Sequence, residues 1–206
     1  VDVECGTLVP ESVSLSEDGL QATFEVQASD NSMTDLVVTV MDSVTDLHGN
    51  TLVVSSSEPV TVDTVNPEVV TIADDQPGTA SDIANSVTYT LSFSEAVQSV
   101  TEGDLTVTGA EGYTVSHEAG SDTASVTVTV ADGSMENVSV SVNSSIVDIA
   151  GNPLIEVVDD SQPVDTVNPE APIISVSDND ATEGDAGAGV FTVTGEAGSS
   201  IEVTLT

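Results

Sequence analysis

Val87-Thr88-Tyr89-Thr90-Leu91-Ser92-Phe93 alternates apolar and polar residues without a break. In an extended chain successive side chains point to opposite faces, so this stretch has one apolar and one polar face. An α-helix has no use for that pattern, because its period is 3.6 residues and its β-branched side chains lose χ1 freedom. The alternation recurs downstream. Ala124, Val126, Val128 and Val130 are spaced by Ser125, Thr127 and Thr129, and Val138, Val140 and Val142 by Ser139, Ser141 and Asn143. Weaker runs at 68–73, 104–109, 113–117 and 155–164 fill the gaps, with turn signals such as Asp132-Gly133 between them. No apolar period of a helix survives anywhere in the chain.

About seven half-buried strands in about 100 residues is the pattern of an immunoglobulin-like β-sandwich. The chain is therefore expected to be all-β, and it has room for more than one such unit. Val62-Asp63-Thr64-Val65-Asn66-Pro67-Glu68 returns unchanged at 164–170, a shift of 102 residues (Asp63 to Asp165). That period is too long for a solenoid repeat and fits a whole small domain. The shift also relates Asp46-Leu47-His48-Gly49-Asn50 to Asp148-Ile149-Ala150-Gly151-Asn152, Ser32-Met33 to Ser134-Met135, Asp30 to Asp132 and Asp2 to Asp104. We therefore expect tandem sandwiches. Residues 1–62 are the back part of one repeat, 63–164 a complete repeat, and 165–206 the front of a divergent third. The phrase between them is a linker. Its Asn-Pro step favours a turn, and the residue before proline is held extended, so the linker is short and stiff.

Charge narrows the partners. The chain has 36 Asp and Glu, no Lys and no Arg, for a formal charge of −36. No salt bridge between side chains is possible, so each carboxylate is solvated, hydrogen-bonded or neutralised by a bound cation. Nucleic acid and anionic membranes are excluded as electrostatic partners. The strict alternation argues against a disordered acidic tail. No run approaches the length of a membrane-spanning helix, so membrane insertion is not expected. Cys5 is the only cysteine, so no internal disulfide forms.

In order, Phe93-Ser94-Glu95-Ala96-Val97, Gly103-Asp104-Leu105-Thr106-Val107-Thr108, Asp148-Ile149-Ala150-Gly151-Asn152-Pro153 and the Val-Asp-Thr-Val-Asn-Pro linker resemble the bacterial immunoglobulin-like repeats of giant surface adhesins. These are the biofilm-associated and RTX-type proteins of Gram-negative bacteria. The resemblance implies an extracellular, cell-surface extender that supports adhesion and biofilm formation, stiffened by Ca²⁺. After Pro169 the sequence is similar to a second repeat type of the same proteins.

An immunoglobulin-like topology would gather Asp63 of the linker, Glu95 after the second strand, and Asp148 with Asn152 in the penultimate loop at one pole. Such oxygen donors with no cationic side chain nearby suit Ca²⁺, which takes about six to eight oxygens. The same logic points to Asp46 and Asn50 in the first repeat and to Asp165 with Glu196 in the third. The alternative for Asp-Xaa-Xaa-Gly-Asn is a plain turn, since Asp and Asn tolerate bent backbone. Asp74, Asp75, Asp82, Asp132 and Glu136 would face the next linker at the opposite pole. Asp178-Asn179-Asp180 with Glu183 and Asp185 forms a dense acidic loop, either metal-binding or solvated.

Nothing supports catalysis. His48 and His117 occupy different repeat positions without transition-metal spacing, and are expected in surface loops. Cys5 aligns with Val107, an inward strand position, and is expected to be a buried small hydrophobe. Two Tyr and no Trp make a poor sugar-stacking cleft. The reading is a non-enzymatic spacer whose partners are its neighbouring repeats. Its competitor is a carbohydrate- or surface-binding module. The first segment lacks initial strands and the last carries a set of them; a window cut out of phase from a longer array accounts for this, and strand exchange between chains is the less favoured alternative.

Overall fold

In the computed structural model residues 1–81, 85–156, 158–178, 190–198 and 200–203 are described. Asp82 lies outside them, as do Asn179, Asp180, Glu183 and Asp185 of the acidic loop in the third segment.

The central segment holds seven strands, and the alternating runs form them. In chain order the first segment contributes β1 (Asp2–Glu4), β2 (Gly6–Leu8), β3 (Ser14–Leu15), β4 (Ala22–Thr23), β5 (Val26–Ala28), β6 (Val37–Val40) and β7 (Ser55–Ser56). The centre contributes β8 (Val69–Asp74), β9 (Ser86–Phe93), β10 (Leu105–Thr108), β11 (Ala110–His117), β12 (Thr123–Val130), β13 (Val138–Val142) and β14 (Asp159–Gln162). The last segment holds the hairpin of β15 (Ile173–Asp178) and β16 (Val190–Thr194). The only helical element among the described residues is a 3₁₀ turn at Glu102–Asp104.

Two antiparallel sheets make the central sandwich. One has the order β11-β12-β9-β8 and the other β10-β13-β14. With the strands lettered A to G, these are sheets ABED and CFG, the arrangement of a seven-stranded immunoglobulin domain. Val126 stands opposite Tyr89 and Val128 opposite Val87, so the apolar faces of β12 and β9 are in register. Val87, Tyr89, Leu91, Val126, Val128, Val138, Val140 and Val142 are fully enclosed. Each such side chain contributes ~1.5–3 kcal/mol relative to exposure, which makes this core the main source of stability. The Tyr89 hydroxyl donates across the core to the Val138 carbonyl, at 3.5 Å. Burial, then the charges of Asp160 and Asp74, push its pKa up to about 12. Past the end of β8 the chain crosses to the other sheet, where Ala80 pairs in parallel with Val164.

The first segment repeats the C-to-G half of this plan. β1 pairs with β6 and β6 with β7, as β10 pairs with β13 and β13 with β14. The register has slipped, however. Asp2 stands opposite Thr39, whereas Thr106, not Asp104, stands opposite Ser141. A two-residue slip keeps every side chain on its original face, so the pleat tolerates it. It also corrects the expectation for Cys5. That residue sits in the turn between β1 and β2 with φ +59°, partly buried, and is not an inward strand residue. Among the described residues, every fully enclosed hydrophobic side chain belongs to residues 69–164.

Candidate metal centre

One pole of the central sandwich collects the linker, the end of β9 and the loop from β13 to β14. Val97 bridges to Asp148, and the Gln98 amide donates to the Val147 carbonyl at 3.0 Å. These contacts bring the β9 exit against the Asp148 loop. The linker closes over both. Asn152 Nδ2 donates to the Asp63 carbonyl at 3.1 Å, and Asn66 Nδ2 to the Pro153 carbonyl at 2.7 Å.

Carboxylate oxygens of Asp63, Glu95 and Asp148 consequently lie within 4.8 Å of one another. They come from three separate segments. Asp148 is 1% exposed, while Asp63 and Glu95 are half-buried. The Asp148 carboxylate is held by its own loop. Oδ1 accepts from the Gly151 and Asn152 amides at 2.6 and 2.7 Å, and Oδ2 accepts from Asn152 Nδ2 at 2.7 Å. Gly151 supplies the positive φ that this loop requires. Asp63 accepts from the Val65 amide at 3.2 Å. Asn152 thus turns its amide nitrogen toward Asp63 and Asp148, ordering the two acids through hydrogen bonds.

Glu95 registers the crowding. Desolvation first, then the charges of Asp63 and Asp148, hold its carboxyl above the ordinary 4.5. The sequence holds no Lys or Arg to relieve the repulsion. The donor set fits a hard divalent cation: three carboxylates could supply three to six of the about six to eight oxygens of Ca²⁺, and water the rest.

The other candidate residues are arranged differently. Asp46 and Asn50 form the same loop as Asp148 and Asn152, with Asp46 Oδ1 accepting from the His48 and Asn50 amides and Oδ2 from Asn50 Nδ2, each at 2.8 Å. Those bonds, led by the Asn50 side chain, hold the Asp46 carboxyl below its ordinary value. The loop is exposed, and no third acid joins it among the described residues. Asp165 and Glu196 line one hollow with Val167, Pro169, Ala197 and Gly198. Glu196 Oε2 accepts from the Glu170 amide at 3.1 Å.

At the opposite pole Asp74 caps the Gln76 amide and Asp75 the Thr88 amide, while Asp132 lines a hollow with Asn85, Glu111 and Thr166. His117 is not a loop residue. It ends β11, half-buried, with Nδ1 accepting from the Val100 amide at 3.3 Å and Nε2 against the Ser121 carbonyl at 3.3 Å. His48 is exposed in its loop, as expected.

Sequence reasoning passed over one pair of residues entirely. Thr64 and Thr166 of the two linkers hydrogen-bond to turns of the preceding segments. The available signal was their shared place in the repeated phrase, combined with the paired Ser32 and Ser134.

No helix among the described residues is long and apolar enough to cross a membrane. No curated protein and no solved structure matches the chain. Residues 63–164 match the family model described as bacterial Ig-like domain. The two sheets ABED and CFG and that match agree: residues 63–164 are similar to a bacterial immunoglobulin-like domain and have its all-β sandwich arrangement.

Proposed function

We propose that this chain is a spacer segment of a bacterial cell-surface adhesin, in which tandem immunoglobulin-like repeats hold adhesive parts away from the cell and support biofilm formation. Its partners are the neighbouring repeats of the same protein. Ca²⁺ stiffens the junctions. The observation that carries this reading is the convergence of Asp63, Glu95 and Asp148 within 4.8 Å where the linker meets the central repeat.

The proposed role follows from the charges. Without a cation, three carboxylates repel at a joint between segments, in a chain of formal charge −36. With Ca²⁺, Asp63 of the linker, Glu95 of the β9 exit and Asp148 of the β13–β14 loop would share one ion. The linker is then tied to the body of the repeat, and the direction of the joint is set. A ligand that binds only the folded form adds stability by mass action, about 2.7 kcal/mol at a hundred times its dissociation constant.

Both tyrosines, Tyr89 and Tyr113, lie in the central repeat and there is no Trp, so tyrosine fluorescence follows that repeat alone within the whole chain. Melting followed in this way should shift upward in millimolar Ca²⁺ relative to EDTA, and small-angle scattering should show a longer, narrower particle. Equal melting and equal scattering in the two buffers would sink the role given to Ca²⁺.

A further inference from the structure

The linker phrase contains a residue that the carboxylate cluster does not use. The Thr64 hydroxyl donates to the Ser29 carbonyl at 2.8 Å and accepts from the Ser32 amide at 2.9 Å. The Thr64 amide donates to the Ser32 carbonyl at 2.9 Å. One phrase later the pattern returns. The Thr166 hydroxyl donates to the Ala131 carbonyl at 2.7 Å and accepts from the Ser134 amide at 2.8 Å, and the Thr166 amide donates to the Ser134 carbonyl at 2.9 Å. Each partner is shifted by 102 residues (Ser29 to Ala131, Ser32 to Ser134). The receiving turns also match in backbone shape: Asn31 and Gly133, at the same repeat position, have φ +53° and +66°.

We propose that this threonine is a cation-independent latch, and that the turn before the sixth strand of each repeat is a docking surface for the linker leading into the next repeat. The proposal rests on the spacer reading and deepens it. The turn presents one carbonyl acceptor and one amide donor, and a side-chain hydroxyl can satisfy both at once. Thr166 is 2% exposed, so water does not replace those bonds if the hydroxyl is lost.

The linker is gripped on both sides within four residues. Thr64 reaches back to residues 29–32. Asn152 donates to the carbonyl of Asp63 and Asn66 donates to that of Pro153, both in the repeat ahead. Pro67 then restricts Asn66 to extended backbone. No step of 63–67 is left to act as a free hinge. The latch also sets a specificity rule: a following repeat is accepted when its entry strand carries a hydroxyl at this position.

Valine has nearly the shape of threonine and lacks the hydroxyl, while serine keeps it. The full chain carrying Thr64→Val and Thr166→Val is compared, in EDTA, with Thr64→Ser and Thr166→Ser and with the unsubstituted chain. Hydrogen exchange is read at the Ser32 and Ser134 amides. Those amides should exchange roughly tenfold faster or more in the valine chain and near the original rate in the serine chain. Scattering of the valine chain in EDTA should show a broader spread of shapes. Unchanged exchange at both amides in the valine chain would overturn the latch. The test is separable from the proposed Ca²⁺ role. Faster exchange in valine chains whose parent melts alike in EDTA and Ca²⁺ keeps the latch and discards the cation. Unchanged exchange beside a clear Ca²⁺ response does the reverse.

Discussion

The loops Asp46–Asn50 and Asp148–Asn152 hold their aspartates in nearly the same way, the one change being an amide of His48 in the first and of Gly151 in the second, and differ in what surrounds them. In both, an aspartate accepts two amides on one oxygen and an asparagine side chain on the other. In both, glycine at the fourth position has positive φ, +87° at Gly49 and +101° at Gly151. Yet Asp46 is exposed, and Asp148 is enclosed beside Asp63 and Glu95. The loop is therefore a local product of Asp-Xaa-Xaa-Gly-Asn, formed wherever that phrase joins two strands. The acid cluster is a long-range product, requiring a linker and a β9 exit to be packed against the loop. The turn is thus set locally, and the proposed cation site would be added to it by long-range packing.

Removing the carboxylates should separate those levels most sharply. Asp148→Ala takes the acceptor from the half-buried Asn152 amide and side chain and leaves the exposed Gly151 amide only the residue 148 carbonyl, at a cost of ~2–4 kcal/mol to the central repeat. The relief of repulsion with half-exposed Asp63 and Glu95 offsets only part of this, because solvent screens those charges. Asp46→Ala exposes its amides to water and should leave the tyrosine-followed urea midpoint where it was. Equal shifts from the two substitutions would mean that enclosure of the Asp148 loop contributes nothing.

Charge can be removed with less change of shape. Asp148→Asn keeps an acceptor for the loop amides and withdraws one of three negative charges. It should abolish most of the Ca²⁺-dependent gain in tyrosine-followed melting, up to about 2.7 kcal/mol at a hundredfold excess over the dissociation constant. Asp46→Asn should leave that gain intact. A full Ca²⁺ response in the Asp148→Asn chain would remove Asp148 from the proposed cation site.

Much of this was legible in residues 63–164 and less outside them. The alternating runs at 87–93, 124–130 and 138–142 became β9, β12 and β13 almost to the residue, because period-two patterning and a buried face specify the same register. The pole shared by Asp63, Glu95 and Asp148 followed from strand order, since two sheets ABED and CFG place those ends together. Cys5 was misplaced because register is set by pairing, and β1 slips two residues against β6 with no enclosed core to hold it. His117 was expected in a surface loop although the run 113–117 ends on it; it closes β11, where its ring serves as a hydrogen-bond bridge. Thr64 and Thr166 were invisible for a related reason. A threonine in a polar linker reads as solvated until its partner turn, 32 residues upstream, is known to lie beside it.

Backbone strain tests the local half of the comparison. An added Cβ meets nothing within 4 Å at either Gly49 or Gly151, so alanine costs only the positive-φ penalty, ~1 kcal/mol at each. Gly151→Ala should lower the tyrosine-followed midpoint by that amount. Gly49→Ala should leave it unchanged and speed exchange at the His48 and Asn50 amides instead. Gly109 is a control of a different kind. Its φ is +71° and an added Cβ falls 2.1 Å from the Asn137 carbonyl oxygen, so Gly109→Ala should cost more than either loop glycine.

The smallest effect is the most telling, because its sign changes with the buffer. The Glu95 carboxyl is held above 4.5 in the folded chain by desolvation and by Asp63 and Asp148. Between 4.5 and that raised value the folded state binds more protons than the unfolded state. Its contribution to stability is therefore present at the acid end of the window and lost as pH rises through the folded value. Asp75 and Asp104 run the other way: their carboxyls are lowered, so what they contribute is present above 3.8 and lost as pH falls below it. In EDTA, Glu95→Gln should flatten the slope above pH 4.5. It should also raise the neutral-pH midpoint by a fraction of a kcal/mol, since the side chain is half-exposed and screened. In Ca²⁺ the same substitution replaces a proposed carboxylate ligand by a neutral amide oxygen and should lower the midpoint. An exposed acid of the Asp46 kind has no such reversal. A Glu95→Gln change of one sign in both buffers would place Glu95 with the solvated acids of the surface and leave Asp63 and Asp148 too few to hold an ion between them.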